Sequence, residues 1–187
     1  VGAYSKGETL LAQLASVMGA KLRDEGLKAY FRDWKFKHPG PNDFKRSMEK
    51  VCGFDLDWYF QYFIHTTHQI DYAINRVAEG VKMTTIECSR IGAMPMPQNI
   101  TVTYVDGTST TYIAPLVMMR GHRPLADGEV LLPDWPWTHP TYSFDIPTAS
   151  GIASVELDAA RQTADVDRSN NRVDFDPEIK RLFERNR

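Results

Sequence analysis

Trp34-Lys-Phe-Lys-His-Pro-Gly-Pro-Asn-Asp-Phe44 opens the part of the chain where helical patterning gives way to strand patterning, and Thr66-Thr-His-Gln-Ile-Asp-Tyr72 closes it. Between these runs, Pro41 suits the first turn of a helix, because a proline there has no amide hydrogen bond to lose. Gly53 stands where a left-handed residue would end that helix. Asp55 can cap a following helix, which carries a wide aromatic face. The stretch therefore predicts a helical hairpin that packs against other parts of the protein.

Two further helices are predicted before this hairpin, over residues 5–18 and 21–33. Both carry apolar side chains at helical spacing, and Gly26 weakens the second by about 1 kcal/mol relative to alanine. The four helices carry more apolar surface than so small a bundle can bury, and exposed apolar patches drive association. Self-association through this helical face is therefore predicted. The residues expected on the face are Leu10, Leu14, Trp34, Trp58 and Phe63.

From Tyr72 onward the apolar residues recur at every second position, which is typical of strands. Asp106-Gly107 indicates a tight hairpin turn. Seven or so short strands with such turns predict an antiparallel sandwich. Residues 118–134 show no clear pattern, and residues 177–186 are predicted to form a terminal helix. The expected strands start at Tyr72 and otherwise cover residues 83–91, 100–104, 110–113, 137–146 and 152–157.

Composition narrows the classes of function. The 187 residues are 42% apolar and include four tryptophans, which is enough for a folded core rather than a disordered segment. A net charge of −2 disfavours nucleic acid as a partner, since phosphate binding favours a basic face. No apolar run reaches the roughly 18 residues of a spanning helix, so no membrane segment is expected. We interpret Cys52 and Cys88 as free buried thiols, although a disulfide stays open because it depends on the Cα separation.

Three runs in the opening stretch resemble the helical end of the catalytic domain in aminopeptidase N-like (gluzincin) zinc metallopeptidases. The Thr66-Thr-x-x-Ile-Asp-Tyr72 exit is similar to that family's passage into its β-domain. Nearer the start, Tyr4-Ser-Lys-Gly7 resembles the family's Tyr-x-Lys-Gly, in which the tyrosine is catalytic. The three runs are Trp34-Lys-Phe-Lys-His-Pro-x-Pro-x-Asp-Phe44, Met48-Glu-Lys-Val-x-Gly53 and Leu56-Asp-Trp-Tyr-Phe60.

This resemblance implies an α+β fold in three parts. Residues 1–70 would form the four-helix end of a thermolysin-like catalytic domain, residues 71–175 an antiparallel, immunoglobulin-like β-sandwich, and residues 176–187 a short C-terminal helix. The chain would then be the C-terminal part of a zinc-dependent aminopeptidase, which removes amino-terminal residues from peptides. Its partners would be the N-terminal catalytic half of the same protein and a peptide substrate. In that intact parent, Tyr4 would stabilise the oxyanion that forms when water attacks the scissile carbonyl.

Such a peptidase needs zinc, whose usual signature is His-Glu-x-x-His with a further carboxylate ligand. That motif does not occur in these 187 residues, so zinc is expected in the parent enzyme and no cofactor in this chain, which should be inactive alone. His65-x-x-His68 has a spacing that a metal can use, but we interpret the pair as exposed loop histidines. Gly92-Ala-Met94 resembles the start of the family's substrate-recognition motif. Pro95 stands where that motif has its glutamate, so we reject the match.

Two other patterns allow alternatives. Asp165, Asp167 and Ser169 have oxygen ligands at spacings found in calcium loops. We favour a turn that caps its own backbone, because the loop glycine and the bidentate glutamate are missing, but metal binding stays open. Four aromatic residues could form a carbohydrate platform, although packing at strand edges explains them better. They are Trp135, Trp137, Tyr142 and Phe144.

A second function is also compatible with these patterns. The chain could be a non-catalytic module, in which a helical cap on an immunoglobulin-like domain binds a peptide or a protein through an exposed patch. An upstream zinc motif in the same reading frame would favour the aminopeptidase, and a start codon near Val1 would favour the module.

Overall fold

The computed structural model describes residues 2–148 and 151–175. The four predicted helices are confirmed, and their ends shift by a few residues. The predicted helix over residues 177–186 lies outside the described residues. No described helix is both long enough and apolar enough to cross a membrane. The helices are α1 (Gly2–Met18), α2 (Ala20–Trp34), α3 (Pro41–Cys52) and α4 (Asp57–His65).

The signals that predicted the helical hairpin act through specific backbone contacts. At the start of α3, the Gly40 N–H donates to Oδ2 of Asp43 at 2.9 Å. Gly53 ends α3 in the left-handed region, with φ of 79°, and its N–H donates to the Glu49 carbonyl at 2.8 Å. The carboxylate of Asp55 accepts the N–H of Asp57 at 2.8 Å, at the start of α4. The chain direction between α3 and α4 is thus fixed by local hydrogen bonds.

The strands form two sheets, which confirms an α+β protein in which helices precede strands. One sheet has the order β1-β2-β6 and the other β5-β4-β3-β7-β8. The predicted antiparallel pairing is wrong for β4 with β5, which is parallel, so the five-stranded sheet is mixed; the other pairs are antiparallel. Short 3-10 segments lie at Val117–Met119 and Arg168–Asn170. The strands are β1 (Tyr72–Glu79), β2 (Met83–Arg90), β3 (Gln98–Tyr104), β4 (Ser109–Ala114), β5 (Glu129–Leu131), β6 (Thr141–Pro147), β7 (Ile152–Leu157) and β8 (Arg172–Asp174).

The helices and both sheets share one continuous apolar core. Where the two parts meet, the Asp55 N–H donates to the Met119 carbonyl at 2.9 Å. The division of the chain into residues 1–70 and 71–175 stays a prediction, because a shared core alone does not show whether either part folds independently. Representative fully buried members are Leu14, Met48, Leu56, Tyr59, Tyr72, Ile86, Ile100, Leu116 and Trp135.

The expected helical face is partly wrong. Leu14 is 0% exposed and Trp58 is 7% exposed, because both pack into the shared core rather than toward a neighbour. Leu10, Trp34 and Phe63 are half-buried. Self-association of the helical part stays a prediction, and it rests on other side chains. The exposed large apolar residues of the helical part are Tyr4, Phe31, Phe36 and Ile64.

Gly26 allows α2 and α3 to pack closely. It is buried, and a Cβ atom added to it would lie 2.4 Å from Sδ of Met48, which is 0% exposed. Next to this contact, the rings of Tyr30 and Phe44 meet edge-on, with centroids 5.1 Å apart. The loss of helix propensity at Gly26 is therefore offset by close packing between helices.

Gly26→Ala is expected to lower the free energy of unfolding by about 1–2 kcal/mol, because overpacking of Met48 outweighs the gain in helix propensity. Gly7→Ala is the matched control, since nothing lies within 4 Å of the Cβ atom it adds to α1. The control is expected to raise the free energy of unfolding by about 0.5–1 kcal/mol. Urea denaturation of both variants measures the two effects, and equal stabilisation by both would contradict the close packing.

Candidate functional site

Tyr4 lies inside the first turn of α1, and its side chain is 89% exposed. Within the part of the chain that the structure describes, its hydroxyl has no hydrogen-bond partner. A phenol in this position is free to donate to a group that approaches from outside the described residues.

A groove of about 200 Å³ begins on the same helix, at Lys6. Its walls are α1, the segment 66–70 that links α4 to β1, and residues 164 and 166, which follow β7. The Lys6 ammonium lies 5.2 Å from the centroid of the Phe63 ring, which forms part of the wall. Lys6 and His68 are the ionisable side chains among the described residues that line the groove, and no carboxylate is among them. Lys6 is therefore a cation without a carboxylate beside it in this lining.

Gln13 contributes a buried polar group to this groove. Its side chain is 1% exposed, and its Oε1 accepts a hydrogen bond from the Tyr59 hydroxyl at 3.0 Å. The same hydroxyl lies 3.2 Å from the Leu10 carbonyl, and burial raises the pKa of Tyr59 above its ordinary value. The phenol thus contacts both the Gln13 amide and the Leu10 carbonyl, and these contacts hold the Gln13 side chain in place. The amide nitrogen has no partner among the described residues.

Sequence patterning did not identify Gln13. It lies between Leu10 and Leu14, on the face of α1 that carries apolar side chains at helical spacing. A lone glutamine on an apolar face is a signal, because a buried amide needs hydrogen-bond partners. Its partner Tyr59 is 46 residues away in sequence, so the pattern alone did not reveal which group it meets.

The histidine pair does not share a helix face. His65 is the last residue of α4, and His68 lies beyond the helix in the linker to β1. Both side chains are exposed, which agrees with their interpretation as loop histidines. The His68 ring packs against Tyr62, with centroids 5.7 Å apart.

A larger cleft, of about 410 Å³, lies between the α1–α2 turn and the five-stranded sheet. Its threonine hydroxyls, on Thr101 and Thr111, are 3.1 Å apart. Both terminal nitrogens of Arg123 bind the carboxylate of Glu129 at 2.7 Å, in a bidentate pair. Asp158, also at this cleft, accepts a hydrogen bond at 2.8 Å from the guanidinium of Arg168, which lies outside it. The charged groups of the cleft are thus paired within the protein, and we interpret them as structural.

The Arg123–Glu129 pair predicts a dependence of stability on pH. The hydrogen-bonded guanidinium of Arg123 lowers the pKa of Glu129 below its ordinary value. A carboxyl group with a lowered pKa stabilises the fold at pH values above its ordinary pKa, and that contribution is lost as the pH falls. Glu129→Gln is expected to lower the free energy of unfolding by about 1 kcal/mol at neutral pH, and the difference should shrink in acid.

Urea denaturation at neutral pH and near pH 3 checks this expectation. Glu25→Gln is the matched control, because Glu25 is an exposed residue of α2 and should have little effect at either pH. A Glu129→Gln effect that is the same at both pH values would contradict an ionic role for the pair.

One group of three carboxylates in the described ranges lies close enough to hold a cation, with ligand atoms within 4.8 Å of one another: Glu49, Asp55 and Asp57. Protein groups already occupy each of them. Glu49 accepts the N–H of Leu56 at 3.0 Å, Asp55 accepts that of Asp57, and Asp57 pairs with Lys45. These contacts hold the start of α4, so we interpret the group as a cap.

The Asp165 segment caps its own backbone, as favoured from the sequence. Asp165 accepts the N–H groups of Asp167 at 3.0 Å and of Tyr72 at 3.1 Å, while Asp167 accepts that of Ser169 at 3.0 Å. Burial raises the pKa of Asp165. Asn171 also donates to Asp165, at 3.2 Å. The segment around Asp165 is thus joined to the start of β1.

The four aromatic residues pack as expected. Trp135 is 1% exposed, stacks on Tyr142 with centroids 5.1 Å apart, and donates through Nε1 to the His139 carbonyl. Phe144 is 7% exposed. Trp137 is half-buried and is covered by the Arg90 guanidinium, 3.6 Å from its ring centroid. None of these rings forms an open platform.

Both cysteines are free thiols, as interpreted from the sequence. Cys88 is fully buried on β2, and burial raises its pKa to about 12. Cys52 is half-buried at the end of α3, and burial raises its pKa as well. Neither thiol is activated as a nucleophile, since reactive cysteines have lowered pKa values.

Comparison with known proteins adds no assignment. No protein-family model matches the sequence, and no curated protein matches it. Tyr4 and, separately, the groove that begins at Lys6 are therefore the candidate sites on their own geometry.

Proposed function

We propose that this chain is the C-terminal part of a zinc-dependent aminopeptidase, in which Tyr4 donates a hydrogen bond to the oxyanion formed at the scissile carbonyl. Two lines of support converge on Tyr4. It stands in the run Tyr4-Ser-Lys-Gly7, which resembles the Tyr-x-Lys-Gly of aminopeptidase N-like peptidases. The observation that carries the proposal is the 89% exposure of the Tyr4 side chain. Its hydroxyl forms no hydrogen bond with any described residue.

The described residues do not fit a catalytic zinc. A zinc peptidase uses two histidines one helical turn apart and a carboxylate. Here His65 ends α4 and His68 lies outside it, and the close carboxylate group, Glu49 with Asp55 and Asp57, contains no histidine. We therefore assign the metal ligands to another part of the parent protein, and we assign no metal-dependent step to these residues.

The remaining parts of the chain have supporting roles in this proposal. Helices α1–α4 would complete the catalytic domain. The two sheets would form an immunoglobulin-like sandwich that acts as a wall and spacer beside the cleft. Their support is the order of elements, since four helices lead through residues 66–71 directly into β1.

A test of this proposal compares the isolated 187-residue chain with the intact protein. We expect the isolated chain neither to bind zinc stoichiometrically nor to release an amino-terminal residue from any peptide, because the ligand set is absent from it. Zinc content by mass spectrometry and release of alanine from an alanine anilide measure the two properties. If the isolated chain hydrolyses the substrate and a chelator abolishes that activity, the proposal that this chain lacks the zinc site would be overturned.

The groove favours a second candidate function, a non-catalytic module that binds a peptide or a protein. Its lining offers Lys6, His68 and the amide of Gln13, which suit recognition without any reaction. The source reading frame distinguishes the two candidate functions. A zinc motif upstream in that frame would support the peptidase, and a start codon near Val1 would support the module.

A further inference from the structure

We propose that the groove beside α1 is a binding site for a carboxylate group, held by Lys6 and the buried amide of Gln13. The carboxylate could belong to the carboxyl end of a peptide or to an acidic side chain within it. The binding itself does not depend on the proposed peptidase activity, whereas its use for a substrate rests on that activity.

The donor character of the groove is the first observation. Its ionisable lining residues within the described ranges are Lys6 and His68, and no carboxylate there neutralises the Lys6 ammonium. The contact between that ammonium and the Phe63 ring, at 5.2 Å, holds the charge over an apolar wall. A carboxylate that enters would meet a cation with no acidic competitor in the lining.

The orientation of Gln13 is the second, independent observation. Its side chain is 1% exposed, yet it lines the groove. The Tyr59 hydroxyl, which has one hydrogen for two acceptors, lies 3.0 Å from Oε1 of Gln13 and 3.2 Å from the Leu10 carbonyl. No hydrogen bond is formed by the amide nitrogen among the described residues, and it is not one of their fully enclosed unpaired atoms, so it keeps some contact with the groove. A carboxylate oxygen in the groove would supply the missing acceptor.

The scale of the groove matches a small group. About 200 Å³ is below the usual range for drug-sized ligands, and it suits a carboxylate with one or two neighbouring residues. Phe63, Ile70 and Met94 give the groove apolar surface for the attached chain. The expected ligand is therefore a short peptide segment that carries a negative charge.

Titration of the isotope-labelled 187-residue chain with three short peptides tests this proposal by NMR. The probes are acetyl-dialanine with a free carboxylate, acetyl-dialanine amide, and acetyl-glutamyl-alanine amide. We expect the free carboxylate to shift the backbone amides of Lys6, Thr67 and Gln69, and to bind about 10-fold more tightly than the neutral amide, as for one charge-assisted hydrogen bond. Binding of the third probe assigns the site to acidic side chains as well, and its failure restricts the site to the carboxyl end.

Substitution at Lys6 gives the second readout. Lys6→Met is expected to weaken binding of the free carboxylate about 10-fold while leaving the amide probe unchanged. Lys6 is exposed, so this variant should fold, and Lys21→Met on α2 is the matched control for loss of one surface lysine. Gln13→Glu, which places a carboxylate in the groove, should also weaken binding.

Equal affinity for the carboxylate and amide probes would overturn the proposal, as would equal losses in the Lys6→Met and Lys21→Met variants. These titrations need neither zinc nor hydrolysis. A failed titration therefore leaves the role of Tyr4 untouched, and an inactive parent leaves the carboxylate site standing.

Discussion

In the parent peptidase that we propose, Tyr4→Phe is expected to lower kcat by about 10²-fold and to leave KM nearly unchanged. The substitution keeps the ring and removes only the hydroxyl. A donor aimed at the oxyanion strengthens as negative charge develops, so its loss raises the energy of the transition state more than that of the bound substrate. Because the side chain is 89% exposed, the fold itself should not change.

Tyr30→Phe is the matched control for this experiment. Tyr30 is half-buried on α2, and its ring meets Phe44 edge-on, a contact that phenylalanine keeps. Steady-state kinetics on an amino-acid anilide give kcat and KM for both variants. An unchanged kcat in Tyr4→Phe would remove its assigned role, and equal losses in both variants would indicate a general structural effect.

Gly92→Ala is expected to lower the free energy of unfolding by about 3 kcal/mol or more. A Cβ atom at this position would lie 2.3 Å from the Gln69 carbonyl oxygen and 2.6 Å from the Asp71 nitrogen. Both are backbone atoms, which cannot rotate away as a flexible side chain can. The Gly92 N–H also donates to the Asp71 carbonyl at 2.9 Å, so the segments cannot separate without breaking hydrogen bonds.

Ala93→Ser is the control for Gly92→Ala. Ala93 is the next residue and is exposed, so its substitution should change the free energy of unfolding by no more than about 0.5 kcal/mol. Urea denaturation followed by circular dichroism measures both variants. A loss below about 1 kcal/mol in Gly92→Ala would show that the linker can move away from β2 at little cost.

The same contact explains the glycine in the run Gly92-Ala-Met94. This run matches only the first three residues of the substrate-recognition motif that it resembles. Gly92 permits the close approach of the chain at residues 69–71, and Met94 donates its N–H to the Gln69 carbonyl at 3.0 Å. This run therefore joins the helical part to β1, a structural role that its sequence alone did not reveal.

The parts of the fold that depend on contacts between residues close in sequence could be predicted from the sequence. Gly53 and Asp55 act through partners within a few positions, so the helical hairpin was readable. The strand β5 was not predicted. It has only three residues, and it is ordered by parallel pairing with β4, which a local sequence pattern does not reveal. The three-residue strand β8 was missed because it is equally short and is ordered by antiparallel pairing with β7.

The candidate site divides in the same way. Tyr4 and Lys6 belong to one short run that the sequence presents directly. The groove that Lys6 lines is built from α1, the segment 66–70 and residues near 165, which come together only in the folded chain. Gln13 meets the Tyr59 hydroxyl, and that pairing depends on how α1 packs on α4 rather than on any local pattern.

The most direct test of the proposed function is the release of an amino-terminal residue from a peptide by the intact protein. We expect release that a chelator abolishes and added zinc restores, with the Tyr4→Phe variant slower by about 10²-fold under the same conditions. The opposite result is an intact, zinc-loaded protein that binds peptides but releases no amino-terminal residue, and it would contradict the assignment of this chain to an aminopeptidase.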